Sequence, residues 1–278
     1  MWLLIACAGG EDTASPKEEG CVAGEPEAYE VPFGTEPDPL VAGEEGTLQW
    51  RVLDEDGCAI EDLQQSHERI GHVLVVSADL DSFQHVHHED YAELTADDLR
   101  SSTYHLPLTV PTSGDYLVVL DYAHRNRWLQ ATEVLTVAGE PAQRDAPEED
   151  FSTVVTADDV EVALTWIAEP VAGYEASWQV HLTSGGADVT DLVQYLGADA
   201  HAAAVSADFA WAGHTHAYVQ GMETMTPTME MPHAYDGPDV LFKTVFPTPG
   251  LHGMWLQFTR AGDPSHVYTA PFRFVVGG

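Results

Sequence analysis

The chain carries one frame twice. His72-Val-Leu-Val-Val-Ser-Ala-Asp-Leu-Asp-Ser-Phe-Gln-His-Val-His87 returns as the stretch from His201 to His216, at a constant offset of 129 residues. Asp62/Asp191, Leu63/Leu192, Gln65/Gln194, His72/His201, Val76/Val205, Ser77/Ser206, Ala78/Ala207, Asp79/Asp208, His85/His214 and His87/His216 make ten identities in one ungapped window. Self-similarity of this kind marks an internal duplication, so whatever one half folds into the other must fold into as well. At 278 residues and an apolar share of 44%, both halves are long enough to bury a core.

Strand-length runs fill each half. Thr47–Leu53 alternates apolar and polar residues, as a half-buried strand does. His72–Ser77, Phe83–His88, Thr103–Val110, Tyr116–Tyr122 and Leu129–Val137 follow, with a short helical turn expected over Asp62–Ile70. The second half repeats the plan at Val160–Ile167, Ala176–Leu182, His201–Ser206, Thr215–Gln220, Val240–Phe246, Gly253–Thr259 and Val267–Val276. Short strands at this spacing, broken by turns such as Pro111-Thr-Ser-Gly114 and Pro247-Thr-Pro-Gly250, predict antiparallel sandwiches. Domains are expected at 40–138 and 151–278, joined by a polar, proline-punctuated linker over 139–150. Residues 8–39 are acidic and rich in Gly, Pro and Glu, the composition of a disordered tether.

Leu4-Ile5-Ala6-Cys7 resembles the bacterial lipoprotein box, with residues 1–7 read as a truncated signal whose cysteine takes the lipid. Setting Cys7 aside leaves Cys21 and Cys58, an even pair free to bond in an oxidising compartment. No run of eighteen apolar residues occurs, so the expected membrane contact is a lipid anchor at Cys7 alone. The formal net charge of −36, with Lys17 and Lys243 the two lysines, argues against nucleic acid and anionic lipid and makes a cation the natural partner. So much acid also suits a solvated surface in salty or extracellular surroundings.

The histidines carry the chemistry. Side chains at i and i+2 of a strand share a face, so His85 with His87, and His214 with His216, can aim two imidazoles at one point. If Asp79–Ser82 is a hairpin turn, His72 completes a three-His cluster in the first half, and His201 does so in the second. Neutral imidazole suits Cu(II), Zn and Ni, and three ligands leave a position open for water, methionine or a partner's side chain. The competing reading is that these histidines are structural and are repeated by duplication. The loop Gly221–His233, within or near which the second half's seven extra residues fall, adds Met222, Met225, Met229, Met231 and His233 as candidates. Thioethers are soft ligands that suit Cu(I), though methionines also serve as gap-filling cover.

The histidine segments, together with Tyr195-Leu-Gly-Ala-Asp-Ala-His201 and Pro249-Gly-Leu-His-Gly-Met-Trp-Leu-Gln-Phe258, resemble secreted bacterial heavy-metal-binding proteins of the YtkA-like and CopC-like sort. That resemblance implies an all-β chain of two tandem immunoglobulin-like, cupredoxin- or CopC-like sandwiches concerned with copper outside the cytoplasm. Relatives often carry proline after His-x-His, where this chain has His88 and Ala217. The expected function is a periplasmic or outer-surface lipoprotein that sequesters copper, or zinc in its place, or hands it to another envelope metal-transport protein. The alternative is a structural or adhesive cell-surface sandwich without metal chemistry. No HExxH, Gly-x-Ser-x-Gly or positioned Cys-His pair is present, so an enzyme is not expected.

Overall fold

The computed structural model describes residues 26–140, 150–221, 226–229 and 231–278. The first domain contains β1 (Tyr29–Glu30), β2 (Phe33–Glu36), β3 (Gly46–Arg51), β4 (Leu53–Asp54), β5 (Gly71–Ser77), β6 (Phe83–Val86), β7 (Thr103–Leu108), β8 (Gly114–His124) and β9 (Arg127–Val137). The second contains β10 (Val154–Ala157), β11 (Val160–Ala168), β12 (Glu175–Ser184), β13 (Ala187–Asp188), β14 (Leu192–Val193), β15 (His201–Ser206), β16 (Ala212–His216), β17 (Asp239–Val245), β18 (Gly250–Arg260) and β19 (Asp263–Val276). Among the described residues helix is confined to one 3-10 turn, His88–Asp90, and α1, Ala96–Ser101, capped by Thr95.

Each domain is an antiparallel sandwich. In the first, β2-β3-β7 packs on β6-β5-β8-β9 around Leu48, Trp50, Val73, Val75, Tyr104 and Val118. In the second, the sheet of β10, β11, β12, β13 and β17 packs on that of β14, β15, β16, β18 and β19 around Val162, Trp178, Val180, Phe242, Leu256 and Phe258. The duplication is visible strand by strand. Adding 129 to β3, β5 or β6 lands in β12, β15 or β16, and adding 136 to β8 gives β18, residue for residue. The difference, 136 − 129 = 7, is the extra length of the loop after β16.

The hydrophobic pattern of β5 reports how the domains sit together. All seven of its residues are buried, as are all six of β15, because both faces of each strand are covered. Val73 and Val75 point into the first domain's own core, whereas Leu74 and Val76 join Leu117, Val119, Ala203, Val205, Ala212 and Trp255 between the domains. Phe83 stacks on Trp255, ring centroids 4.7 Å apart. Arg273 of the second domain pairs with Asp81 of the first.

The structure departs from the sequence reading at two places. Among the residues expected to be tether, Tyr29–Glu30 and Phe33–Glu36 are strands: β2 pairs with β3 from Phe33↔Trp50 to Glu36↔Thr47, and the Tyr29 hydroxyl bonds His124 Nδ1 at 2.8 Å. A short segment that cannot order itself is ordered here by a sheet edge it completes. The helical turn expected over Asp62–Ile70 is instead a hairpin turn closed by Ser66 and Arg69, with His67 and Glu68 both at positive φ. Cys7, Cys21 and most of the 139–150 linker lie outside the described residues.

Candidate metal centre

Two hairpins build the site. The turn after β5 is held by Ser77, whose hydroxyl donates to Asp79 Oδ1 and accepts from the Ser82 amide, with Leu80 at φ 60°. Its counterpart after β15 uses Ser206, with the Trp211 amide donating to its hydroxyl and Phe209 at φ 59°. These turns set the registers Val73↔Val86 and His201↔His216, so the first and third histidine of each repeat lie on neighbouring strands. Period-two alternation puts His72 on the face of Leu74 and Val76, and His201 on that of Ala203 and Val205. That face is the domain interface, and the six histidines meet there.

The first triad is closed on itself. His72 Nδ1, His85 Nε2 and His87 Nε2 lie 3.1 Å from one another on all three sides. Each ring's other nitrogen is committed as a donor: His72 Nε2–H to the Ser66 carbonyl at 3.0 Å, His85 Nδ1–H to Gln257 Oε1 at 2.8 Å, and His87 Nδ1–H to Asp90 Oδ2 at 2.7 Å. A neutral imidazole carries one N–H, so the three nitrogens that face one another present bare lone pairs. Three convergent lone pairs repel unless a cation lies among them. A metal bonded at about 2.05 Å to each would sit about 1 Å above their plane with N–metal–N angles of about 98°, leaving a coordination position open.

The second triad repeats the plan with changes. His201 Nδ1 lies 3.0 Å from His214 Nε2, and His201 Nε2–H donates to the Tyr195 carbonyl at 2.7 Å, the equivalent of Ser66. Ring nitrogens of His201, His214 and His216 lie within 4.8 Å of one another. His216 Nε2 is buried and has no hydrogen-bond partner among the described residues. His214 Nδ1 faces Asp121 Oδ2 of the first domain at 3.6 Å. The triads share a wall: the His85 and His214 rings are 5.1 Å apart, and a ring nitrogen of His214 lies within 4.8 Å of ring nitrogens of both His72 and His85. The sequence suggests two sites in two domains; the fold makes them one centre between domains.

Burial favours the neutral form of His72, His85, His87, His201 and His216. It is the largest cause holding His72, His85, His201 and His216 well below the ordinary histidine value, with the neighbouring imidazoles adding to it. Burial also lowers His87, opposed by the hydrogen bond and charge of Asp90. Bare, uncharged nitrogens are the form in which histidine binds metal.

Several contributors were invisible to the repeat. His67 stands where the second copy has Leu196, yet its ring lies 3.9 Å from that of His216 and stacks on Trp128 at 5.5 Å. Burial first, then the charge of His214, lowers His67 to about 4. Asp121 and Gln257 pair opposite His72 and His201 in the sheets, and the 136-residue offset past the loop was the signal that could have joined them.

His233 is outside the centre: Nδ1 binds Asp199 Oδ1 at 2.5 Å and Nε2 binds Asp236 Oδ1 at 2.9 Å, and Asp236, then Asp199, raise its pKa. An imidazole bonded at both nitrogens has no lone pair for a metal. Met229 and Met231 line a cleft with His67, Gln65 and Gln194, and His67 also lines the cleft that holds His214 and His216, while Met222 and Met225 lie outside the described residues. Thr228 donates to Asn126 Oδ1, which ties this loop to the first domain.

No curated protein matches the chain. Among solved structures it is similar to the adhesin FdeC of Escherichia coli, at 14% identity over 91% of this chain and 66% of that one, with a TM-score of 0.25. The adhesin InvE of Yersinia pseudotuberculosis gives 11% over 87% and 58%, also at 0.25, and a carbohydrate-binding module of the β-sandwich superfamily gives 12% over 91% and 93%, again at 0.25. The chain thus spans less than two thirds of either adhesin chain, and likeness at these scores says nothing of function. One family profile, described as a domain of unknown function (DUF8832), matches twice, over residues 26–139 and 153–278. The chain therefore belongs to the DUF8832 family and holds two copies of its domain in tandem.

Proposed function

We propose that this protein binds copper outside the cytoplasm, holding two ions in the six-histidine centre and sequestering them or handing them to another envelope metal-transport protein. The observation that carries the reading is the first triad: three ring nitrogens 3.1 Å apart, each with its opposite nitrogen committed to an acceptor. Acceptors of this kind fix the tautomer and raise the basicity of metal-bound histidine. Imidazole also accommodates zinc, and copper is preferred because a site of given donors binds it more tightly. The lipoprotein-like Cys7 and the resemblance to YtkA-like and CopC-like proteins support a cell-envelope location.

Copper titration of the full chain tests the reading. Two equivalents are expected in the wild type, one after His85→Ala with His87→Ala, and one after His214→Ala with His216→Ala. Unchanged stoichiometry in both double variants would assign the histidines to the domain interface as packing, leaving a structural or adhesive surface sandwich.

A further inference from the structure

The two triads differ in access. His72, His85 and His87 are 1%, 9% and 1% exposed, and ring nitrogens of His72 and His85 lie within 4.8 Å of one of the second triad's His214. His214 and His216, by contrast, line an open cleft of about 430 Å³ together with His67, Asp121, Trp128 and Gln130. His214 also belongs to two groups of ring nitrogens, one with His201 and His216 and one with His72 and His85.

We infer that the centre is a track: copper exchanges with solvent at the second triad and reaches the first by way of His214. This deepens the copper-binding reading and rests on it. In the first step His72 and His85 replace His201 and His216 on the ion while His214 stays bound. In the second, His87 replaces His214. The first step exchanges two neutral imidazoles for two others and the second exchanges one for one, so no electron or proton changes hands, and the ion is never without protein nitrogen. The committed far nitrogens of His72 and His85 leave their inner lone pairs ready to receive it. The direction is set by partners: His87, where the track ends, is hydrogen-bonded to the Asp90 carboxylate at 2.7 Å, whereas Asp121, the carboxylate beside the second triad, stands 3.6 Å from His214 Nδ1. A carboxylate behind a histidine strengthens it as a ligand, so the inner station is the tighter one.

The test loads the full chain with two equivalents of Cu(I) under ascorbate and adds excess bathocuproine disulfonate, following the coloured complex. Wild type is expected to release copper in two phases of equal amplitude whose rates differ at least tenfold. His216→Ala should keep one equivalent that leaves at the wild-type slow rate, because the relay is intact. His214→Ala should keep one equivalent that leaves at least tenfold more slowly. Two equivalents released in a single phase, a measurement that needs no substitution, would overturn the track and leave the copper reading standing; so would a His214→Ala protein that releases at the wild-type slow rate. A wild type that takes up no copper would overturn the copper reading and the track with it.

Discussion

Gln257 and Asp121 occupy one place in the two repeats. Each stands in the sheet opposite the first histidine of its own domain and faces the middle histidine of the other, Gln257 with His85 at 2.8 Å and Asp121 with His214 at 3.6 Å. Gln257 Nε2 donates to Thr269 Oγ1, which turns its carbonyl oxygen toward His85. Each domain thus presents a polar side chain to a histidine of its neighbour.

The consequence is a reciprocal loss on substitution. Asp121→Asn should weaken copper at the second triad about 10–100-fold and spare the first, and Gln257→Leu should do the converse. Competition titrations against a chelator of known affinity check this. An Asp121→Asn protein weakened equally at both triads would contradict it.

The apo protein should lose stability in acid. His67, lowered to about 4, stays neutral in the folded state while its unfolded form takes up a proton near 6.5. Its contribution is therefore full above 6.5 and is lost as pH falls from 6.5 toward 4, by up to about 1.4 kcal/mol per pH unit. His72, His85, His201 and His216 act in the same direction, and the part-exposed His233 and His181, with raised values, act in the opposite one. Urea unfolding at pH 7.5, 6 and 5 measures the slope, and His67→Leu should flatten it. For the same reason copper should stay bound below pH 6.5, lower than free imidazole would suggest.

Trp255→Ala should cost about 3–5 kcal/mol, since it removes a 3% exposed ring from between the domains and leaves Phe83 unstacked. Thermal unfolding would show the shift. Copper stoichiometry should fall with it, because the triads lean on each other across that interface.

Cys21 and Cys58 are expected to bond, tying the segment before β1 to the first domain and stabilising it by about 2–4 kcal/mol in the chain-entropy account. Thiol labelling of the oxidised protein should find neither reactive; two reactive thiols would contradict the pairing.

Much of this was legible in the sequence because period-two alternation and a fixed offset are local signals. His72, His85 and His87 follow from them directly. The docking of the two domains was not legible, although the unbroken Val73-Leu-Val-Val76 and Ala202-Ala-Ala-Val205 runs carried its trace as strands covered on both faces. His67 was hidden because its place in the second copy is Leu196, and Asp121 because seven inserted residues moved its counterpart out of register. The Tyr29–Glu36 strands were hidden by composition, since what orders them is an edge supplied from elsewhere in the chain.

Anomalous diffraction at the copper edge from copper-loaded crystals tests the central claim most directly. Two peaks are predicted inside the interface, one bounded by His72, His85 and His87 and the other by His201, His214 and His216, each about 2 Å from its ring nitrogens. Copper found at surface carboxylates, with no peak among the six histidines, would contradict the account.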